Sequence, residues 1–289
     1  MDAALPSTLP GLLMDALPML GLVLATLAGC AAVLLHPAWV ERRRARLRAR
    51  PFPAAWRRIL RRRVPLVARL PAPLQLRLKG HIQVLLAEKP LIGCQGLVVT
   101  DEMRVTVAAQ AALLLLGRER PDYFPDLRQV LMYPGAFVVD RVASMGGGVL
   151  QDQRRVLAGE SWQQGQVILS WTDVREGADV ADDGRNVVLH EFAHQLDQQT
   201  GAANGAPVLH SRAQAARWAP VMREAYGRLH ALAARGQASV LSDYGTTNEA
   251  EFFAVATEVF FEQPQALADE YPALYDELAA YYRLDPRGW

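Results

Sequence analysis

His190-Glu191-Phe192-Ala193-His194-Gln195-Leu196-Asp197 reads H-E-x-x-H-x-x-D. On an α-helix each residue turns about 100°, so His190 and His194 lie about 40° apart, one turn up the same face. Two imidazoles so placed can grip one zinc ion. Glu191 between them can reach a water in the metal's open position and act as a general base. Leu189, Phe192, Ala193 and Leu196 recur at i, i+3, i+4 and i+7 and form an apolar stripe. His190, His194 and Asp197 form a second stripe beside it, so one face predicts a core and the next a cleft. Helix context favours zinc over a pair of structural histidines. Asp197, one turn beyond His194, is a candidate acceptor that orients an imidazole; its bland alternative is a surface acid at a helix C-terminus.

A third protein ligand must come from elsewhere. Asn248 can cap a helix that runs to about Gln263, where Pro264 ends it. Glu251 is the third residue of that helix. A capping box with Asn248 would explain it without a metal. Phe252, Phe253, Val255, Ala256, Val259 and Phe260 make the helix apolar, however, and a buried carboxylate there needs a partner. Glu249, Glu258 and Glu262 are rival ligands, and Glu258 shares a face with Glu251 two turns along.

The elements that position these residues are partly legible. Residues 74–88 have helical period, and Thr100 suits the start of a helix that runs to Leu116. Residues 126–133, 136–142 and 166–171 read as strands, the last a candidate cleft edge or equally an internal strand. Residues 146–148 are three glycines, read as a hinge or turn without the context of a phosphate loop. Asp182 or Asp183 is expected to cap the histidine helix. A long helix is expected over 213–234, and a closing one after Pro272.

The composition excludes several classes. The chain has 289 residues, 51% hydrophobic and 21% charged, with a net charge of +1 that draws in no nucleic acid. Two cysteines, Cys30 and Cys94, exclude a disulfide scaffold and a cysteine-based zinc site. The arginines crowd into the first quarter. Residues 16–35 carry no charge and are long enough to span a bilayer. Arg42, Arg43, Arg44, Arg46, Arg48 and Arg50 follow, so the positive-inside rule places everything after residue 36 in the cytoplasm. A cleaved signal peptide would need a basic start, and this one is acidic. Leu27-Ala28-Gly29-Cys30 resembles a lipoprotein box, but the apolar run continues past it. The expected organisation is an anchor over 1–36, a basic proline-containing segment over 37–73 lying on anionic headgroups, and a catalytic domain over 74–289.

Several ordered motifs carry a family resemblance: Ala49-Arg50-Pro51-Phe52-Pro53, Asp101-Glu102-Met103, Tyr133-Pro134, Gly159-Glu160-Ser161-Trp162, His190 to Asp197, and Asn248 to Val255. Together they resemble the Mlc titration factor A family of zinc-dependent peptidases, whose core is similar to that of anthrax lethal factor. The resemblance implies an α+β, zincin-like metallopeptidase domain, mostly helical with a small mixed sheet, here preceded by a hydrophobic helix. It implies one Zn2+ per chain held by His190, His194 and Glu251, with Glu191 as catalytic carboxylate. It also implies Tyr244 near the metal, seven residues before Glu251. The expected activity is hydrolysis of a peptide or protein substrate, linked to the regulation of sugar phosphotransferase uptake. The alternative is a binding protein that sequesters an Mlc-like transcriptional repressor. The N-terminal span departs from the family's soluble members. It predicts a single-pass inner-membrane protein rather than a soluble cytoplasmic one.

Overall fold

The structure is a computed structural model that describes residues 9–145, 149–157, 159–162 and 165–289. Its chain divides into two compact units, residues 1–49 and 50–289. The glycines at 146–148 lie outside the described residues.

Among its described residues the first unit consists of α1 (Leu9–Arg48), 40 residues long. At 1.5 Å per residue it is about 60 Å long. The apolar run and the arginine run therefore share a single rod. Along it, Arg48 pairs with Glu41 at 2.5 Å. By length and composition, Gly21–Arg48 is the one stretch among the described residues able to cross a membrane.

The second unit starts earlier than expected. The segment drawn over 37–73 divides at Ala49, and residues 50–73 fold with the globular part. They form α2 (Ala54–Arg63) and α3 (Leu66–Arg69), which bury Leu60, Leu66 and Val67, with Phe52, Val64 and Leu70 buried beside them. The apolar face of α2 therefore packs on protein. Next come α4 (Ala72–Glu88), β1 (Leu91–Gly93) and α5 (Asp101–Leu113). Thr100 caps α5, its hydroxyl accepting from the Met103 amide at 3.3 Å. Arg62 and Arg63 both bind Glu102 in the first turn of α5, and Trp56 Nε1 donates to Asp101 at 3.1 Å. Val105, Val107, Ala109, Ala111 and Ala112 are buried, so α5 is a central helix, apolar on nearly every side.

The strands are β2 (Gln129–Tyr133), β3 (Phe137–Met145), β4 (Val149–Leu157), β5 (Gly159–Trp162) and β6 (Gln166–Ser170). One mixed sheet has the order β1-β2-β6-β5: β1, β2 and β6 are parallel, and β5 is antiparallel to β6. The strands β3 and β4 form a separate antiparallel pair. The 166–171 stretch is therefore an internal strand. Gly159–Trp162, which carries little strand signal, is the edge beside it.

The helices α6 (Trp171–Asp179), α7 (Val187–Asp197), α8 (Arg212–Ala234), α9 (Glu249–Glu262), α10 (Pro264–Glu270) and α11 (Pro272–Tyr282) complete the unit. The histidine helix α7 packs against α9, α5 and the β5–β6 side of the sheet. Val188, Leu189, Phe192, Ala193 and Leu196 on its apolar stripe are all buried. Phe192 meets Phe124 edge-on at 4.9 Å. The other flank of α9 closes on aromatic rings from α8 and α11: Trp218 on Phe253, and Tyr275 and Tyr282 on Phe260.

Candidate metal centre

Asn186, not Asp182 or Asp183, caps α7. Its Oδ1 accepts from the Leu189 amide at 3.1 Å. Asp183 instead accepts from the Arg185 amide at 3.0 Å, one turn too early to reach the helix. The sequence signal for Asn186 was its position immediately before the apolar-periodic run.

At the far side, Asn248 Oδ1 accepts from the Glu251 amide at 3.0 Å. The capping interaction and a ligand role are therefore compatible. The backbone of Glu251 is capped, while its carboxylate faces α7. Glu251 Oε2 lies 2.9 Å from His190 Nε2 and 3.4 Å from His194 Nε2. The two Nε2 atoms are 3.2 Å apart.

These separations test the fit of a metal. A tetrahedral ion with bonds of about 2.0–2.1 Å sets its ligand atoms about 3.3–3.4 Å apart. Two imidazoles and one carboxylate, at nearly those spacings, fit a borderline divalent metal and leave its fourth position open. Among the described residues, His190, His194 and Glu251 form such a group, with all donor atoms within 4.8 Å of one another.

The rival carboxylates do other things. Glu249 faces solvent. Glu258 Oε1 lies 2.7 Å from the opposite ring nitrogen of His190, Nδ1, and its Oε2 accepts from the Asn186 amide. Glu262 accepts from Asn186 Nδ2 at 2.9 Å and from the Arg185 amide at 3.1 Å. Glu251, Glu258 and Glu262 recur at i, i+7 and i+11 on one face of α9. That face runs antiparallel along α7, and two of its carboxylates meet the free amides and positive dipole end at the start of α7.

The electrostatics follow. Burial opposes a charge on His190, but Glu258 and Glu251 outweigh it and raise the imidazole well above its ordinary value. Burial likewise opposes the Glu251 charge. Hydrogen bonds from His190 and His194 overcome that and hold its carboxyl well below the usual range. The two shifts are one interaction seen from its two ends. No cation pairs with Glu262 among the described residues: burial, with the charges of Asp183 and Glu258, pushes it up to about 8.

Glu191 is buried on α7 between the histidines, and its charge adds to the raising of His190. Tyr244 sits in a 3-10 turn, Asp243–Thr246, just before α9. Its ring is half exposed and 5.9 Å from the His190 ring, centroid to centroid. Asp197 is buried one turn beyond His194, whose charge acts on it. Its Oδ2 accepts from the Gly205 amide at 2.8 Å, so it ties down the loop after α7. Its Oδ1 and His194 Nδ1 are both buried with no hydrogen-bond partner among the described residues. Gly205 has φ +72, and a Cβ there would meet the Glu249 carbonyl oxygen at 2.5 Å. The Asp197–Gly205 contact therefore braces the first turn of α9, two residues from Glu251.

Residues 17–283 match the model of the glucose-regulated metallo-peptidase M90 family. This chain belongs to that family. Mlc titration factor A of Klebsiella pneumoniae is 35% identical over 77% of this chain and 84% of its own length. That of Yersinia enterocolitica is 34% identical over 81% and 86%. A Synechocystis protein described as uncharacterized is 40% identical over 92% of this chain and 97% of its own. A match that leaves out only 8% of the chain cannot omit α1 altogether, because that helix alone is 40 of 289 residues. Family membership implies a metal cofactor, and the His190, His194 and Glu251 group is a fitting place for it.

Proposed function

We propose that this M90 member is a zinc-dependent peptidase with a zincin-like core, tethered to the bacterial inner membrane by α1 with its catalytic unit in the cytoplasm. The convergence of His190 Nε2, His194 Nε2 and Glu251 Oε2 at ligand spacing, with Glu191 beside them, carries this reading. These three residues would hold one zinc ion per chain. Bound zinc supplies a Lewis acid that makes water acidic near about pH 7 and polarises a carbonyl.

The chain's own groups do the rest. Glu191 takes the proton of the attacking water as its oxygen bonds to the peptide carbon. It then returns that proton to the amide nitrogen as the C–N bond breaks. Tyr244, half exposed at the rim, donates its hydroxyl hydrogen to the carbonyl oxygen as negative charge builds there. Glu191→Gln is expected to keep metal content and fold while lowering peptide hydrolysis by about 10²–10⁴-fold. Zinc analysis alongside digestion of a peptide library tests this, and wild-type turnover by the variant would overturn the role.

The name shared by several relatives, Mlc titration factor A, favours a second reading: binding of an Mlc-like transcriptional repressor, with a link to sugar phosphotransferase uptake. If Glu191→Gln still captures such a repressor and alters transcription of its target genes, binding rather than hydrolysis is the working activity.

A further inference from the structure

His190 and His194 are equivalent in the sequence motif but not in the fold. The back of the His190 ring meets Glu258 Oε1 at 2.7 Å, while the back of the His194 ring, Nδ1, is buried with no hydrogen-bond partner among the described residues. Glu258 is itself pinned. Its second oxygen takes the Asn186 amide, and Asn186 is held in turn by Glu262 and by the Gly177 carbonyl. Glu258 and Asn186 are both buried. The carboxylate therefore cannot swing away from His190 without breaking the start of α7.

We propose that Glu258 is the positioning residue of the metal centre. By accepting the Nδ1–H of His190 it fixes the tautomer that leaves Nε2 free to ligate and locks the ring in that plane. A neutral imidazole carries one ring proton. A carboxylate at Nδ1 keeps it there and would leave the Nε2 lone pair for a metal in place of the proton that Nε2 otherwise shares with Glu251. Helix α9 then supplies both a ligand, Glu251, and the group that aims a ligand on the facing helix. Two carboxylates seven residues apart on one surface of α9 thus meet the two nitrogens of the same ring. The inference rests on the metal-ligand reading of His190.

The test compares Glu258→Gln with Glu262→Gln in the full-length chain. Gln at 258 has one oxygen where two donors, His190 Nδ1–H and the Asn186 amide, both need one. Glu262 touches the same Asn186 but not the histidine, so its variant controls for helix packing. Zinc affinity is measured by competition with a chromogenic chelator, and unfolding of the metal-free proteins by circular dichroism. Glu258→Gln is expected to bind zinc about 10–100-fold more weakly, and Glu262→Gln within about twofold of wild type. Equal affinities for both variants would overturn the proposal. A second measurement needs no variant: nitrogen-15 NMR of the zinc-loaded wild type is expected to show His190 protonated at Nδ1. Ligation through Nδ1, or a proton missing from it, would also overturn the proposal. Failure of the wild type to bind zinc would instead defeat the metal reading itself.

Discussion

Helices α1 and α9 are both strongly apolar, and they meet opposite surroundings. Along α1, Leu22, Val23, Leu24, Leu27, Val33, Leu34 and Leu35 are each more than half exposed. Along α9, Phe252, Phe253, Val255, Val259, Phe260 and Phe261 are almost fully buried. The difference lies in where charge sits. The apolar stretch of α1 is uncharged, and its arginines gather at one end, where they suit a lipid–water boundary. The helix α9 carries Glu251, Glu258 and Glu262 on one face, each engaged with α7, and aromatic partners elsewhere. Apolar composition alone therefore does not identify a membrane helix. Acids spaced along one face mark a helix that packs on protein.

Four measurements would break or sharpen that contrast. Phe260→Ala empties the centre of a ring cluster formed with Phe261, Tyr275 and Tyr282. It is expected to cost about 3–5 kcal/mol in chemical denaturation of the full-length protein. Leu24→Arg puts a charge in the middle of the apolar run of α1. It should weaken retention of the protein in membranes under alkaline extraction, by about 2.5–3.5 kcal/mol of insertion energy, and leave the melting of the globular unit unchanged. A globular unit that melted earlier would mean that α1 is a core helix.

The third concerns the acids of α9. The Glu262 carboxyl is raised in the folded state to about 8, chiefly by burial, so the folded protein holds that proton where the unfolded chain has lost it. Its contribution to stability is complete below about pH 4.5 and falls as pH rises to about 8, by at most about 1.4 kcal/mol per unit. Glu262→Gln should flatten this slope in melting curves taken from pH 5 to 8. The smallest effect is expected from Arg63→Ala. Arg63 reaches Glu102 at 2.5 Å from a partly exposed position, and its loss should cost about 0.2–1 kcal/mol. A much larger cost would make the basic face of α2 structural rather than solvated.

The local features of the site were legible from residue types and spacing. The capped helix over 249–262, the His190–His194 face and the apolar stripe beside it all follow from a period of 3.6. The start of α5 follows from the capping hydroxyl of Thr100. The strand at 159–162 was not legible, because Gly159-Glu160-Ser161-Trp162 has no apolar alternation and is held by pairing with β6. The cap of α7 was misplaced by three or four residues. Asp182, Asp183 and Asn186 all suit a cap, and only the path of the chain decides which one meets the first free amides. The basic segment before residue 73 was read as lying on a membrane. Its buried leucines and its pairing with Glu102 need a partner helix, α5, that is distant in sequence.

The sequence by itself determined the donor set: two imidazoles one turn apart, a carboxylate between them, and a second acidic helix. It could not choose between Glu251 and Glu258, because residues seven apart share a helix face. The tertiary structure separates the two. The antiparallel packing of α9 on α7 brings Glu251 to the Nε2 side of His190 and Glu258 to the Nδ1 side. It also gave Asp197 a second task, holding the Gly205 loop through Oδ2 while its charge still acts on His194. Helical period sets which side chains share a face; the offset between two packed helices sets which atom each of them meets.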